Sequence, residues 1–187
     1  MITESLVIFM FMLFFNVFGI TNYYSTTSAI QVINGITNRN YHEIIRIFSN
    51  NFYHLSLSHL LVNCISFINI GIPLQDFFAN FGKYNYPYIL FLVVIFCGIF
   101  NFIFYCIAYY FTNDVNYLTT NTCGFSGVIF ALQFLYHYLN RNDFTFTVRL
   151  LIVNLIIISI LVPNVSNIGH FSGLVSGIVV GKIVNLY

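Results

Sequence analysis

Apolar residues along this chain come in long, nearly unbroken runs separated by short polar punctuation, rather than at the period of a half-buried helix or strand. Runs of about 20 residues, the length a helix needs to cross a bilayer, fall at 5–24, 55–74, 86–111, 124–140, 144–162 and 167–187. The fifth carries Arg149 in its first turns, so it spans only if that side chain snorkels toward the headgroups. It ends at Pro163-Asn164, which reads as a turn. The first run is preceded by Glu4 and by no Lys or Arg, which favours a retained span over a cleaved signal peptide. The stretch 25–54 reads as the one sizeable loop, and neither a repeat nor a second domain is visible, so residues 1–187 read as a single domain.

Composition agrees with the pattern. The 187 residues are 59% hydrophobic and 6% charged, far from the balance of a soluble domain. Thirty residues between Lys83 and Asp114, 26 between Asp114 and Arg141, and 32 between Arg149 and Lys182 contain no Lys, Arg, Asp or Glu. Such runs are too long for barrel strands and must satisfy their own backbone hydrogen bonds, so the expected fold is an all-α, polytopic membrane helical bundle of six transmembrane helices. Six spans leave both termini on one side, with Lys83, Arg141, Arg149 and Lys182 against Arg39 and Arg46 on the other. The positive-inside bias makes the terminal side cytosolic. A net charge of +1 without a basic stripe sets nucleic-acid binding aside. Cys64, Cys97 and Cys106 fall within apolar runs and Cys123 at an edge, which suggests neither a disulfide framework nor a metal site. No cofactor is expected.

Polar groups inside the runs carry the functional information, because hydrocarbon makes them costly unless they pack or react. Three clusters stand out. In His54-Leu-Ser-Leu-Ser-His59-Leu-Leu-Val-Asn63, His59 and Asn63 are four apart and share one helix face. Gly124-Phe125-Ser126-Gly127 opens an apolar helix, and there unpaired N–H groups and the positive dipole end favour a developing oxyanion. Gly169-His170 is followed by Gly173, Gly177 and Gly181, a smooth stripe able to pack nearly backbone to backbone, with the Gly127 and Ala131 side of the Ser126 helix as the expected partner. Each cluster alone has a structural explanation: interhelical hydrogen bonding, a small-residue notch with Ser126 as N-cap, or an interfacial histidine. All three coincide at the inward ends of three different runs.

The available chemistry is narrow. No run interior holds Asp or Glu, so an aspartyl pair has no candidates and a Ser-His-Asp triad lacks its acid. His42-Glu43-Ile44-Ile45 continues with Arg46 rather than His, which disfavours a zinc protease. A two-residue Ser/His catalyst remains.

HxxxN in the second run, GxSG at the start of the fourth and GHxxGxxxGxxxG in the sixth together resemble the rhomboid protease signature, in order and in span assignment, over roughly residues 45–185. The resemblance implies an intramembrane serine endopeptidase that cleaves transmembrane-anchored proteins within membrane lipid. Ser126 would be the nucleophile and His170 the general base, with His59, Asn63 and the Ser126 N–H stabilising the oxyanion. Gly124 and Gly127 would shape the turn, and His54 would be structural. The family's first-loop Trp-Arg pair is absent and Gln75 stands where many members carry Glu; with GFSGV, this is more similar to rhomboids of the eukaryotic endoplasmic reticulum than to bacterial ones. The main alternative is a catalytically inactive, derlin-type rhomboid that binds transmembrane clients for quality control. Such proteins typically lack the Ser or the His, and both are present here. A transporter or channel finds no charge pair along any span interior.

Overall fold

The computed structural model describes residues 26–81, 84–162 and 165–186, together with positions 5, 7, 8 and 10. Most of the first run, Lys83 and the Pro163-Asn164 turn lie outside the described residues. Those described are helical apart from short connections and one isolated bridge between Thr27 and Thr122. Helix α1 spans Ala29–Thr37, α2 Tyr41–Ser49, α3 Leu57–Phe81, α4 Tyr86–Thr112, α5 Asn116–Thr119, α6 Ser126–Arg141, α7 Phe144–Leu161 and α8 Asn167–Ile183, with a 3-10 turn at Asn50–Phe52.

Helix boundaries follow local sequence chemistry. Asn85, Asp143 and Ser166 each cap a helix by accepting from a first-turn N–H, those of Tyr88, Phe146 and Gly169 respectively. These caps satisfy donors that hydrocarbon would leave unpaired. Asn113 and Asn142 end α4 and α6 in the left-handed region, at φ 56° and 52°, a conformation that asparagine tolerates better than most residues.

Two expectations need correction. The second run is longer than 55–74: α3 continues through Pro73 to Phe81. A proline inside a membrane helix is tolerated when neighbouring elements and local adjustments satisfy the freed carbonyl. The stretch 25–54 is not an open loop but the α1–α2 pair and the 3-10 turn. Helix α1 buries Ala29, Val32 and Gly35 at three-residue spacing. Helix α2 buries Ile47 and Arg46, whose guanidinium pairs with Glu43 at 2.8 Å and whose Nε donates to the Thr26 carbonyl at 3.0 Å. Nine-residue amphipathic helices fall below any search for 20-residue apolar runs.

Among the described residues, three helices are long and apolar enough to cross a membrane: Leu57–Asn80, Tyr86–Thr112 and Phe144–Leu161. Helices α6 and α8, with 16 and 17 residues, reach only about 24–26 Å. They are the most enclosed elements. Every residue from Gly127 to Leu132 is buried, as expected for a helix packed on all sides. Its Leu132, Phe134 and Leu135 join Phe67, Phe125 and Leu151 in the core. By contrast α7 buries only Thr147 and Leu151. Near the other end, Gln75 Oε1 accepts the Ser5 N–H at 3.0 Å, joining the N-terminal positions to α3.

Candidate functional site

Lipid tails are as apolar as leucine, so helices in a bilayer come together through close packing of small residues rather than through hydrophobic exclusion. Helices α6 and α8 do this largely through main chain. A Cβ added to Gly127 would lie 2.9 Å from the Gly169 carbonyl oxygen. One added to Gly173 would overlap the Gly127 carbonyl oxygen and come within 2.8 Å of its carbon and 3.0 Å of its Cα. At Gly177 the same atom would meet Ala131 O at 2.7 Å and Ala131 Cα at 3.0 Å. Gly181 continues the stripe and is buried. Ser126 adjoins Gly127 and His170 adjoins Gly169, so the backbone contact sets both at the same level of two touching helices.

The local fold leaves the Ser126 hydroxyl available. The N-cap is Phe125, without a side-chain cap bond, and Ser126 is the first helical residue, so the hydroxyl is not used as a cap. The first bond of the helix runs from the Ile129 N–H to the Phe125 carbonyl at 3.0 Å, and the N–H groups of Ser126, Gly127 and Val128 lie ahead of it. Gly124 turns into the helix at φ 114°, a left-handed conformation that L side chains rarely adopt. Its missing side chain also admits His59: a Cβ there would stand 2.8 Å from His59 Cε1 and 3.1 Å from Nε2.

His170 is buried, with its ring stacked on Phe130 at 4.5 Å between centroids and 11° between planes. Phe130 is four residues after Ser126, on the same face of α6, so the imidazole is held flat above the face that begins with the serine. No hydrogen bond joins Ser126 Oγ to His170 among the described residues, and His170 Nδ1 is buried without a partner. A triad would place a carboxylate at such a nitrogen. Asn63 is also buried, and its Nδ2 donor is unpaired. Buried polar atoms of this kind are few in native proteins and carry a desolvation cost.

His54 lies just before α3 and its Nε2 accepts the Phe125 N–H at 3.3 Å. Its ring meets that of His59 edge-on at 4.9 Å. Burial, with His59 adding to it, pushes the His54 imidazole down from 6.5 to about 3, so it stays neutral and keeps its acceptor nitrogen. The structure therefore gathers His54, His59 and Gly124 at the start of the Ser126 helix, with His170 stacked on Phe130 of that helix and Gly127, Gly173 and Gly177 forming the helix contact. Sequence reasoning missed Phe130, whose i+4 spacing from Ser126 was the available signal. It also missed Asn50, Asn101 and Thr122. With Cys123, Ser126, Ser166 and Ser172 these line a cavity of about 30 Å³ beside the serine.

A model of the Rhomboid domain matches residues 41–186. Over 153 residues the chain is 27% identical to rhomboid-like protein 14, mitochondrial, from Arabidopsis thaliana. That alignment takes in 78% of the chain and 45% of the plant protein, so the chain spans less than half the length of this relative.

Proposed function

The chain belongs to the rhomboid family, and from that premise we propose that it is an intramembrane serine endopeptidase working with a Ser126/His170 dyad in a single membrane domain of six spans. The observation that supports the reading is the main-chain contact of Gly127 with Gly169 and Gly173, since these glycines neighbour Ser126 and His170 in sequence.

In this mechanism a transmembrane-anchored substrate unwinds locally and presents a peptide carbonyl to Ser126 Oγ. His170 takes the hydroxyl proton as Oγ attacks, and later gives it to the leaving amine. Negative charge develops on the carbonyl oxygen, and the Ser126 N–H, the Asn63 amide and His59 over Gly124 are its donors. Donors fixed in advance in a site shielded from water are the largest single contribution in most acyl transfers. The Ser126–His170 hydrogen bond forms as substrate binds, since catalytic hydrogen bonds are often long before the complex assembles. Water then hydrolyses the acyl-enzyme.

In an endoplasmic-reticulum membrane the distribution of Lys and Arg assigns both termini to the cytosol. The compartment has two candidates: the endoplasmic reticulum, from the sequence resemblance, and mitochondria, which the plant relative's name gives for that protein. Imaging of a tagged chain distinguishes them.

A second reading, a client-binding rhomboid without protease activity, draws on the absent Ser126–His170 hydrogen bond. Activity-based labelling separates the two. The detergent-purified chain should react with a fluorophosphonate, and Ser126→Ala and His170→Ala should each abolish labelling. A folded wild type that resists the probe, or a Ser126→Ala variant that still cleaves a tethered substrate, refutes the protease.

A further inference from the structure

The segment leading into Gly124 is gripped from three directions by one hydroxyl. Thr122 Oγ1 accepts from Asn50 Nδ2 at 3.2 Å and from Asn101 Nδ2 at 3.1 Å, and donates to the Thr27 carbonyl at 3.2 Å. A hydroxyl has one donor and two acceptor sites, so its capacity is filled. The main chain of the same residue is held as well: its N–H donates to the Thr27 carbonyl at 2.8 Å, and its carbonyl accepts from the Thr27 N–H and from Asn50 Nδ2, both at 3.3 Å. Asn50 closes the circuit, because its carbonyl accepts the Gly124 N–H at 3.0 Å. Three separate parts of the chain, the stretch before α1, the 3-10 turn and the middle of α4, thus converge on the residue two positions before the positive-φ glycine.

We infer that Thr122 is a positioning residue for the reaction: through Asn50 and Asn101 it fixes the approach to Gly124, and so the orientation of the Ser126 N–H and hydroxyl. This rests on the protease reading above. Gly124 at φ 114° has a wide conformational range open to it, and nothing in its own chemistry selects one value. The clamp supplies the selection. It acts without touching substrate, since its side chain is occupied by its three partners. It also makes the approach to α1 part of the catalytic framework, because the Thr27 carbonyl receives both Thr122 donors.

The test uses the full chain in proteoliposomes with a tethered transmembrane substrate and compares wild type, Thr122→Val, Thr122→Ser, Asn101→Ala and Ser126→Ala. Thr122→Val keeps the shape and removes the hydroxyl. Its kcat should fall about 10- to 100-fold, the scale of a misplacement near 1 Å, with KM unchanged and the melting temperature lower by only a few degrees, since the Asn101 amide loses its acceptor. Thr122→Ser should restore kcat to within about threefold. If Thr122→Val does not fold, Asn101→Ala decides, with a smaller kcat loss at constant KM expected. Unchanged kcat in the deciding variant, or a loss that follows melting temperature and is not rescued by serine, overturns the clamp. When wild type cleaves and Ser126→Ala does not, such a result removes the clamp alone; an inert, folded wild type removes the protease reading and the clamp with it.

Discussion

Replacing Gly173 by alanine is the sharpest challenge to the way α6 and α8 are joined. The three atoms nearest the added methyl are the oxygen, carbon and Cα of Gly127, main-chain atoms that no rotamer change can move aside. Moving the carbonyl carbon alone from 2.8 Å to an ordinary contact of 3.4 Å requires the helices to part by 0.6 Å, and relieving the oxygen requires more. Parting also opens the Ala131–Gly177 contact one turn further along. Overpacking of this kind costs roughly 1–3 kcal/mol, and at about 2–4 °C per kcal/mol for a chain of this size the melting midpoint should drop by several degrees. The effect on chemistry should be larger than the effect on stability. His170 lies three residues before Gly173 on the displaced helix, and a shift approaching 1 Å between catalytic groups is worth about 100-fold. Thermal unfolding in detergent and fluorophosphonate labelling rates on the same preparation give both quantities. Labelling and melting both indistinguishable from wild type would refute the backbone contact as the element that sets the Ser126–His170 relation.

Phe130→Ala removes the surface on which the His170 ring lies; a stacked pair is worth about 0.5–1.5 kcal/mol, so kcat should fall about 2- to 12-fold with little change in KM, measured on a tethered substrate. His54 gives a pH prediction. Its folded value of about 3 lies below the unfolded 6.5, so the folded state binds fewer protons. The stability it contributes is present above about pH 6.5 and is lost progressively as the pH falls toward 3, at up to about 1.4 kcal/mol per pH unit. Melting curves between pH 7 and pH 4 should therefore decline less steeply for His54→Gln than for wild type, and parallel declines would contradict the neutral, hydrogen-bond-accepting His54.

Much of this architecture was legible because membrane helices write their limits plainly. Asn85, Asp143 and Ser166 sit where unpaired first-turn donors need an acceptor, and Gly173 and Gly177 sit at a spacing that only close helix packing uses. The facing surface at Gly127 and Ala131 was readable for the same reason. Helices α1 and α2 were hidden by their length, since nine residues with mixed polarity resemble a loop when long apolar runs are the signal. The extension of α3 beyond Pro73 was hidden by a residue that ends helices in water and is tolerated in a bundle. Thr122 was hidden more deeply: its partners Asn50, Asn101 and Thr27 lie 72, 21 and 95 positions away, and no local pattern marks a hydroxyl whose role depends on three distant segments.

The union of α6 and α8 through main chain has a consequence for how freely this sequence can change. Side-chain contacts tie a site's geometry to the identity and rotamers of many residues, whereas a contact between peptide groups is the same whatever side chains point elsewhere. The outward positions, such as Ile152, Val153, Ile156 and Ile160 on α7, need only remain apolar. Substitutions among apolar residues can thus alter most of the outward surface while a few glycines keep the spacing of the centre constant.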